Sequence, residues 1–167
     1  MSERKQNKKI DKRAPVIVGV GDLVDRSKED GLNPQEILAK ACEHAIQDSG
    51  IKELNKHIDY VGVVRFTVDF LTATNQSNFQ YSNFPRTLAN KLNVSAKNEV
   101  YAPMGGNSPQ VLLEDALVKI STGETDCALL SGGEALQTMI AKLKAGMSLD
   151  WLDEPGGSPE MIGNNDI

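Results

Sequence analysis

Apolar and polar positions along the chain form blocks that predict short strands separated by helices. Three runs rich in apolar and β-branched residues, at residues 15–21, 58–66 and 127–131, have the character of buried strands, and residues 100–104 are a weaker fourth candidate. The near-continuous apolar character of residues 58–66 is typical of a strand covered on both faces, as in a parallel sheet.

Two strong helices are predicted between these strands. The first begins at Asn33, which can cap the helix, with Pro34 at the first helical position and Glu36 at the spacing of a capping box. The second follows a glycine-rich turn, with Ser108 as the expected N-cap and an apolar stripe at helical period behind it. Further helices are expected at residues 85–92 and 135–146.

The predicted order of elements is β-α-β-α-β-α-β. That order implies right-handed crossovers and an α/β fold, with a mainly parallel sheet and helices on both of its faces. We expect residues 1–14 to be a disordered basic tail, residues 15–136 to form the folded domain, and residues 137–167 to begin an incomplete loop or insertion region. Residues 67–85, which are rich in Asn, Ser and Thr, are predicted to form a long connection.

Charge and composition exclude several classes of function. The chain carries a formal charge of −5, and because residues 1–13 carry +4, the remainder is at −9. An acidic body argues against broad binding of nucleic acid or anionic lipid, so the tail is interpreted as solvated rather than as a nucleic-acid arm. No run reaches the roughly 18 apolar residues of a membrane span, and no secretory signal is apparent.

Cysteine and histidine usage points to a reducing compartment and to no metal site. The chain has two cysteines, Cys42 and Cys127, and two histidines, His44 and His57, with no recognisable metal-ligand spacing. Both cysteines fall on predicted core positions, and both histidines are expected to face solvent. A cytoplasmic location follows as the expectation, with an organellar one left open.

Candidate chemistry lies at the carboxyl ends of the predicted strands, where open α/β sheets bind ligands. Residues 19–22 (GVGD) lack the third glycine of a dinucleotide fingerprint, although a Rossmann-type oxidoreductase remains an alternative. Asp22 and Asp25 are interpreted as loop carboxylates. Glu134 follows the last strand as a candidate general base, with a structural role in accepting backbone N–H groups preferred.

The glycine-rich turn is the most informative strand end. Met104, Gly105, Gly106 and Asn107 lie where a strand runs into a helix, so unpaired backbone N–H groups and the helix dipole face whatever occupies the turn. We take these four residues as candidate substrate-binding residues. The turn has no cysteine, and Ser108 is better explained as a helix cap than as a nucleophile.

These segments resemble the N-terminal half of the thiolase superfamily. The stretch YAPMGGNSPQVLLEDALVKISTGETDCALLSGGEAL looks like its third strand, central helix and fourth strand, and PVIVGVGD, PQEILAKACEHAIQDSG and IDYVGVVRF are similar to its first strand, first helix and second strand. The resemblance covers roughly residues 15–163. It is greatest to the acetyl-CoA acetyltransferase-like branch related to sterol-carrier-protein-type thiolases.

The resemblance implies an acyltransferase of lipid metabolism with a coenzyme A thioester as substrate and no other cofactor. Family members carry the acyl-accepting cysteine at the start of the central helix, which falls at or next to Gly106 here. The second cysteine and the catalytic histidines belong to a C-terminal half that this sequence lacks. We therefore expect acyl-CoA binding without covalent thiolase chemistry, so enzymatic activity is left open, and we expect an N-terminal fragment of a longer product.

The resemblance also implies partners. The superfamily dimerises through its N-terminal halves, so a homodimer is one expectation. The alternative function is a non-catalytic subunit that pairs with a full-length thiolase through a sheet edge, expected at the strand of residues 100–104.

Overall fold

A computed structural model describes residues 11–67, 69, 81–151 and 153–163. Its centre is a four-stranded parallel sheet, which confirms the predicted fold class. The strands are β1 (Tyr60–Val64), β2 (Asn98–Ala102), β3 (Ala128–Ser131) and β4 (Glu160–Met161), in the spatial order β3-β1-β2-β4. The central strand β1 is buried along nearly its whole length, as its apolar sequence predicts.

In the part of the chain that the structure describes, four α-helices of eight residues or more cover the two faces of this sheet. They are α1 (Pro34–Asp48), α2 (Phe84–Lys91), α3 (Ser108–Thr122) and α4 (Leu136–Lys144), and a short 3-10 helix spans Leu54–Lys56. Alternate residues of β1 face opposite sides. Val61 and Val63 join a core with α1 and α2, and Tyr60 packs with Leu112 and Ala116 of α3.

Helix α1 begins as its sequence predicts. The Asn33 side chain accepts a hydrogen bond from the Glu36 N–H at 2.9 Å, and the Glu36 carboxylate accepts one from the Asn33 N–H at 3.0 Å. This reciprocal capping box satisfies two donors that the helix itself leaves unpaired. Leu38, Ala39 and Cys42 then form the buried face of the helix.

The predicted strand at residues 15–21 is wrong. These residues belong to no sheet, and Val16 and Ile17 are 75% and 79% exposed. Gly19 and Gly21 lie so close to α1 that a Cβ at either position would overlap its backbone. The Val20 N–H donates to Asp48 at 2.9 Å. The segment is therefore held against a helix rather than inserted into the sheet, and the order of elements begins with α1.

Smaller corrections concern the ends of elements. Ser108 is the first residue of α3 rather than its cap; Asn107 occupies the cap position without a side-chain hydrogen bond. A short strand, β4, lies in the region 137–167, which was expected to begin a loop or insertion. Most of the connection predicted at residues 67–85, and residues 1–10 of the tail, lie outside the described residues.

The segment after α4 is held to the sheet by two groups of polar contacts. Lys119 of α3, 8% exposed, donates to Glu160 of β4 at 2.7 Å. Arg86 of α2 donates to the Gly156 carbonyl at 3.1 Å and to Glu99 of β2 at 2.7 Å. As a result β4 covers the outer edge of β2 at Val100 and Tyr101.

Within the described residues, none of the helices combines the length and apolar character needed to cross a bilayer.

Candidate functional site

A cavity of about 610 Å³ opens at the carboxyl ends of β1, β2 and β3. This is the edge at which parallel α/β sheets bind ligands. Its lining comes from four places: the end of β1, the turn after β2, the first turns of α3 and the end of β3. The residues are Val64, Arg65, Phe66, Met104, Gly105, Gly106, Pro109, Leu112 and residues 130–134. Of the four predicted binding residues, Met104, Gly105 and Gly106 line this cavity, and Asn107 follows them in the same turn.

The turn at the start of α3 presents free hydrogen-bond donors. The Gly105 carbonyl accepts from the Ser108 N–H at 3.1 Å, and the Asn107 carbonyl accepts from the Val111 N–H at 3.1 Å. The N–H groups of Gly106 and Asn107 donate to no group in the described part of the chain. Because α3 is 15 residues long, its dipole adds to the attraction of these N–H groups for an electron-rich oxygen.

Gly106 occupies open space. A Cβ built on its backbone would have no other heavy atom within 4 Å, and its φ is not in the left-handed region. The backbone would therefore accept a side chain at this position without strain. Gly106, at or next to the position that the family resemblance assigns to the nucleophile, thus has room for a side chain but carries no reactive group.

Neither Ser108 nor Cys42 supplies an activated nucleophile at this edge of the sheet. Ser108 is buried and does not line the cavity. The Cys42 side chain interacts with Ser131, which lines the cavity, but burial raises the pKa of the Cys42 thiol to about 11. A neutral, buried thiol is a poor nucleophile.

Glu134 makes a structural contact with Thr67. One of its carboxylate oxygens accepts from the Thr67 N–H at 2.7 Å and from the Thr67 hydroxyl at 2.6 Å. This agrees with the preferred structural role, but the donor belongs to the segment after β1 and not to the turn of Glu134 itself. The contact joins the carboxyl ends of β1 and β3 beside the cavity.

Arg65 lines the cavity but was not predicted as a site residue from the sequence. It directly follows β1, and its Nε lies 3.1 Å from Oδ2 of the buried Asp69. Its guanidinium also lies over the Tyr101 ring, 5.0 Å from the ring centre, and the Tyr101 hydroxyl donates to Asp69 at 2.9 Å. The sequence signal that could have identified Arg65 is a positively charged residue directly after an otherwise apolar strand.

The Asp69 carboxylate is itself perturbed. Burial raises its pKa above the usual range, while the hydrogen bond from Tyr101 and the charge of Arg65 oppose that rise. These partners therefore favour the ionised form of the Asp69 carboxylate.

The remaining candidate groups are structural. The carboxylate of Asp25 accepts from the N–H groups of Ser27 and Leu32 at 2.8 and 2.7 Å, and the Leu32 bond is the main cause that holds its pKa below the usual range. His44 and His57 are exposed. In the part of the chain that the structure describes, no group of three or more His, Cys, Asp or Glu side chains could hold a metal ion.

A second and larger cavity lies along the outer edge of β3. It measures about 1120 Å³ and is bounded by residues 12–21, α1, α3 and β3. The segment that fails to form a strand is one of its walls. Its lining is mainly apolar and carries no free helix terminus comparable to that of α3 in the described residues.

Comparison with known proteins supports a thiolase-like fold. The crystal structure of a monomeric SCP2-thiolase like protein type 1 from Mycobacterium smegmatis matches with a TM-score of 0.58 and 31% sequence identity. The match covers 75% of this chain and 24% of that chain, so the present sequence corresponds to about a quarter of the length of that protein. No family model matches the sequence, and no curated protein matches it significantly. The α/β sheet described above is therefore a thiolase-like fold.

Proposed function

We propose that this chain belongs to the thiolase superfamily, in the branch of sterol-carrier-protein-type thiolases, and binds an acyl-CoA thioester without forming a covalent acyl-enzyme. The observation that carries this proposal is the start of α3. Two free N–H groups adjoin a cavity there, and a glycine with open space stands at or next to the position that the family resemblance gives to the nucleophile.

The chemistry of a thioester fits this arrangement. Its carbonyl oxygen can accept hydrogen bonds from the N–H groups of Gly106 and Asn107, and the dipole of α3 strengthens them. Covalent transfer would need an activated nucleophile to attack the carbonyl carbon. Without one, the thioester binds with its carbonyl polarised and is released intact.

Support also comes from the similar protein in Mycobacterium smegmatis, which is described as SCP2-thiolase like. The match covers only 24% of that protein, so a shared activity is part of this proposal.

Titration calorimetry with acetyl-CoA tests the proposal. We expect saturable binding by the wild-type chain and a loss of at least about tenfold in affinity for Gly106→Leu, because the new side chain fills the cavity beside the free N–H groups. Ser121→Leu is the matched control, since Ser121 is exposed at the other end of the same helix. Absence of binding by the wild-type chain, or equal binding by Gly106→Leu, would contradict the proposal.

A second candidate is a non-catalytic subunit that pairs with a full-length thiolase through a sheet edge. The edge expected for this, at residues 100–104, is covered by β4 at Val100 and Tyr101. The outer edge of β3 is the better candidate, because β3 ends the sheet among the described strands and exposed apolar residues of the segment 15–21 lie beside it. Co-elution with a complete thiolase in size-exclusion chromatography would favour this candidate.

A further inference from the structure

Arg65 is the only cation among the described residues that line the 610 Å³ cavity. The one acidic residue of the lining, Glu134, accepts hydrogen bonds from Thr67. The Glu134 carboxylate is therefore held at Thr67, and it forms no ion pair with Arg65. Its side chain is 35% exposed, so it remains accessible from the cavity.

The orientation of the guanidinium is set by two neighbours. Asp69 lies 3.1 Å from Nε, and the ring of Tyr101 lies beneath the guanidinium plane. Tyr101 also donates to Asp69, so that the stacking ring and the paired carboxylate are themselves connected. A guanidinium held in this way loses little conformational freedom when it binds a ligand.

Arg65 can bind a further anion through its terminal nitrogens. Asp69 approaches the Nε side of the guanidinium, and the side chain keeps 35% of its surface exposed. The two Nη groups of an arginine match the two oxygens of a carboxylate in a bidentate pair. Such a pair is stronger and more directional than a contact between a lysine and a carboxylate.

We propose that Arg65 recognises a carboxylate on the acyl group of the thioester, so that the preferred ligand is a carboxylated acyl-CoA. This inference rests on the proposed function. A carboxylate of the acyl group is favoured over a phosphate of coenzyme A because Arg65 shares one cavity with the turn that receives the thioester carbonyl. In coenzyme A the whole pantetheine arm separates the thioester from the phosphates.

The experiment compares succinyl-CoA with butyryl-CoA, which have acyl chains of four carbons and differ by a terminal carboxylate in place of a methyl group. By titration calorimetry we expect the wild-type chain to bind succinyl-CoA about tenfold more tightly or better, the effect of a charge-assisted bidentate pair. Arg65→Met should abolish this preference, measured as the ratio of the two affinities within that variant. Arg26→Met, at an exposed arginine outside the cavity, should retain the preference.

A further variant separates recognition from folding. Arg65→Met leaves Asp69 without its cation, whereas Arg65→Lys keeps a positive charge there; we expect Arg65→Lys to fold and to recover part of the preference. Equal binding of the two esters by the wild-type chain would overturn the inference but leave the proposed function intact. An equal loss of both esters in Arg65→Met would also overturn it, because it would assign Arg65 to the coenzyme A phosphates. If neither ester binds the wild-type chain, the proposed function itself fails.

Discussion

Gly106→Cys is expected to give a chain that acetyl-CoA acylates, whereas the wild-type chain stays unmodified. The new side chain enters open space at the start of α3, where the helix dipole and free N–H groups lower the pKa of a thiol and raise its thiolate fraction. After incubation with acetyl-CoA, intact mass spectrometry should show one added acetyl group per chain, at the introduced thiol. The native thiols should not react, because burial raises the pKa of both Cys42 and Cys127.

Ser121→Cys is the matched control for this variant. Ser121 is exposed near the C-terminal end of α3, where the dipole disfavours a thiolate. At neutral pH we expect iodoacetamide to alkylate the thiol of Gly106→Cys about tenfold faster than that of Ser121→Cys. Equal alkylation rates would show that residue 106 does not experience the helix N-terminus, and an acetyl adduct on the wild-type chain would show that a nucleophile had been overlooked.

Asn83→Ala is expected to lower the free energy of unfolding by about 2–3 kcal/mol, because it removes a helix cap and other buried hydrogen bonds together. Asn83 is fully buried before α2, and its side-chain oxygen accepts from the Arg86 N–H at 3.2 Å. Its amide nitrogen lies 2.9 Å from a Glu99 oxygen and 3.4 Å from the Gly156 carbonyl. Urea unfolding followed by circular dichroism measures the loss.

Asn90→Ala supplies the comparison for this second variant. Asn90 is exposed on the same helix, so its replacement should change stability by less than about 0.5 kcal/mol. If the two alanine variants unfold at the same urea concentration, Asn83 does not join α2, β2 and the segment around Gly156 in the way described.

The helices and the inner strands could be predicted because their signals are local. The capping box of Asn33 and Glu36 lies within one turn, and the apolar run around β1 reports burial on both faces without knowledge of its neighbours. The position of the cavity followed from the same information, since strands joined by helical crossovers are parallel and their carboxyl ends meet at one edge.

The segment of residues 15–21 shows where local pattern fails. A β-branched run with glycines predicts a strand, but Gly19 and Gly21 also permit the close approach to α1 that holds the segment outside the sheet. Composition cannot distinguish these two uses of glycine, because the contacted residues of α1, Ala41 and Ala45, are at least 20 residues away in sequence.

The arrangement around Arg65 could not be predicted for a related reason. Arg65 and Asp69 are four residues apart, but Tyr101, which stacks on one and donates to the other, comes from the neighbouring strand β2. Only the register between β1 and β2 brings the three side chains together. By contrast, Gly106 was placed correctly at the turn because the strand, the glycines and the helix are contiguous in sequence.

The central claim is that the start of α3 binds a thioester without being acylated. The most direct test is the infrared carbonyl frequency of acetyl-CoA that carries carbon-13 at its thioester carbonyl. If the N–H groups of Gly106 and Asn107 polarise the carbonyl, its stretching band should shift to lower frequency in the complex with the wild-type chain, and the ester should be recovered unchanged afterwards. A bound ester with an unshifted band, or transfer of the labelled acetyl group to the protein, would contradict this account.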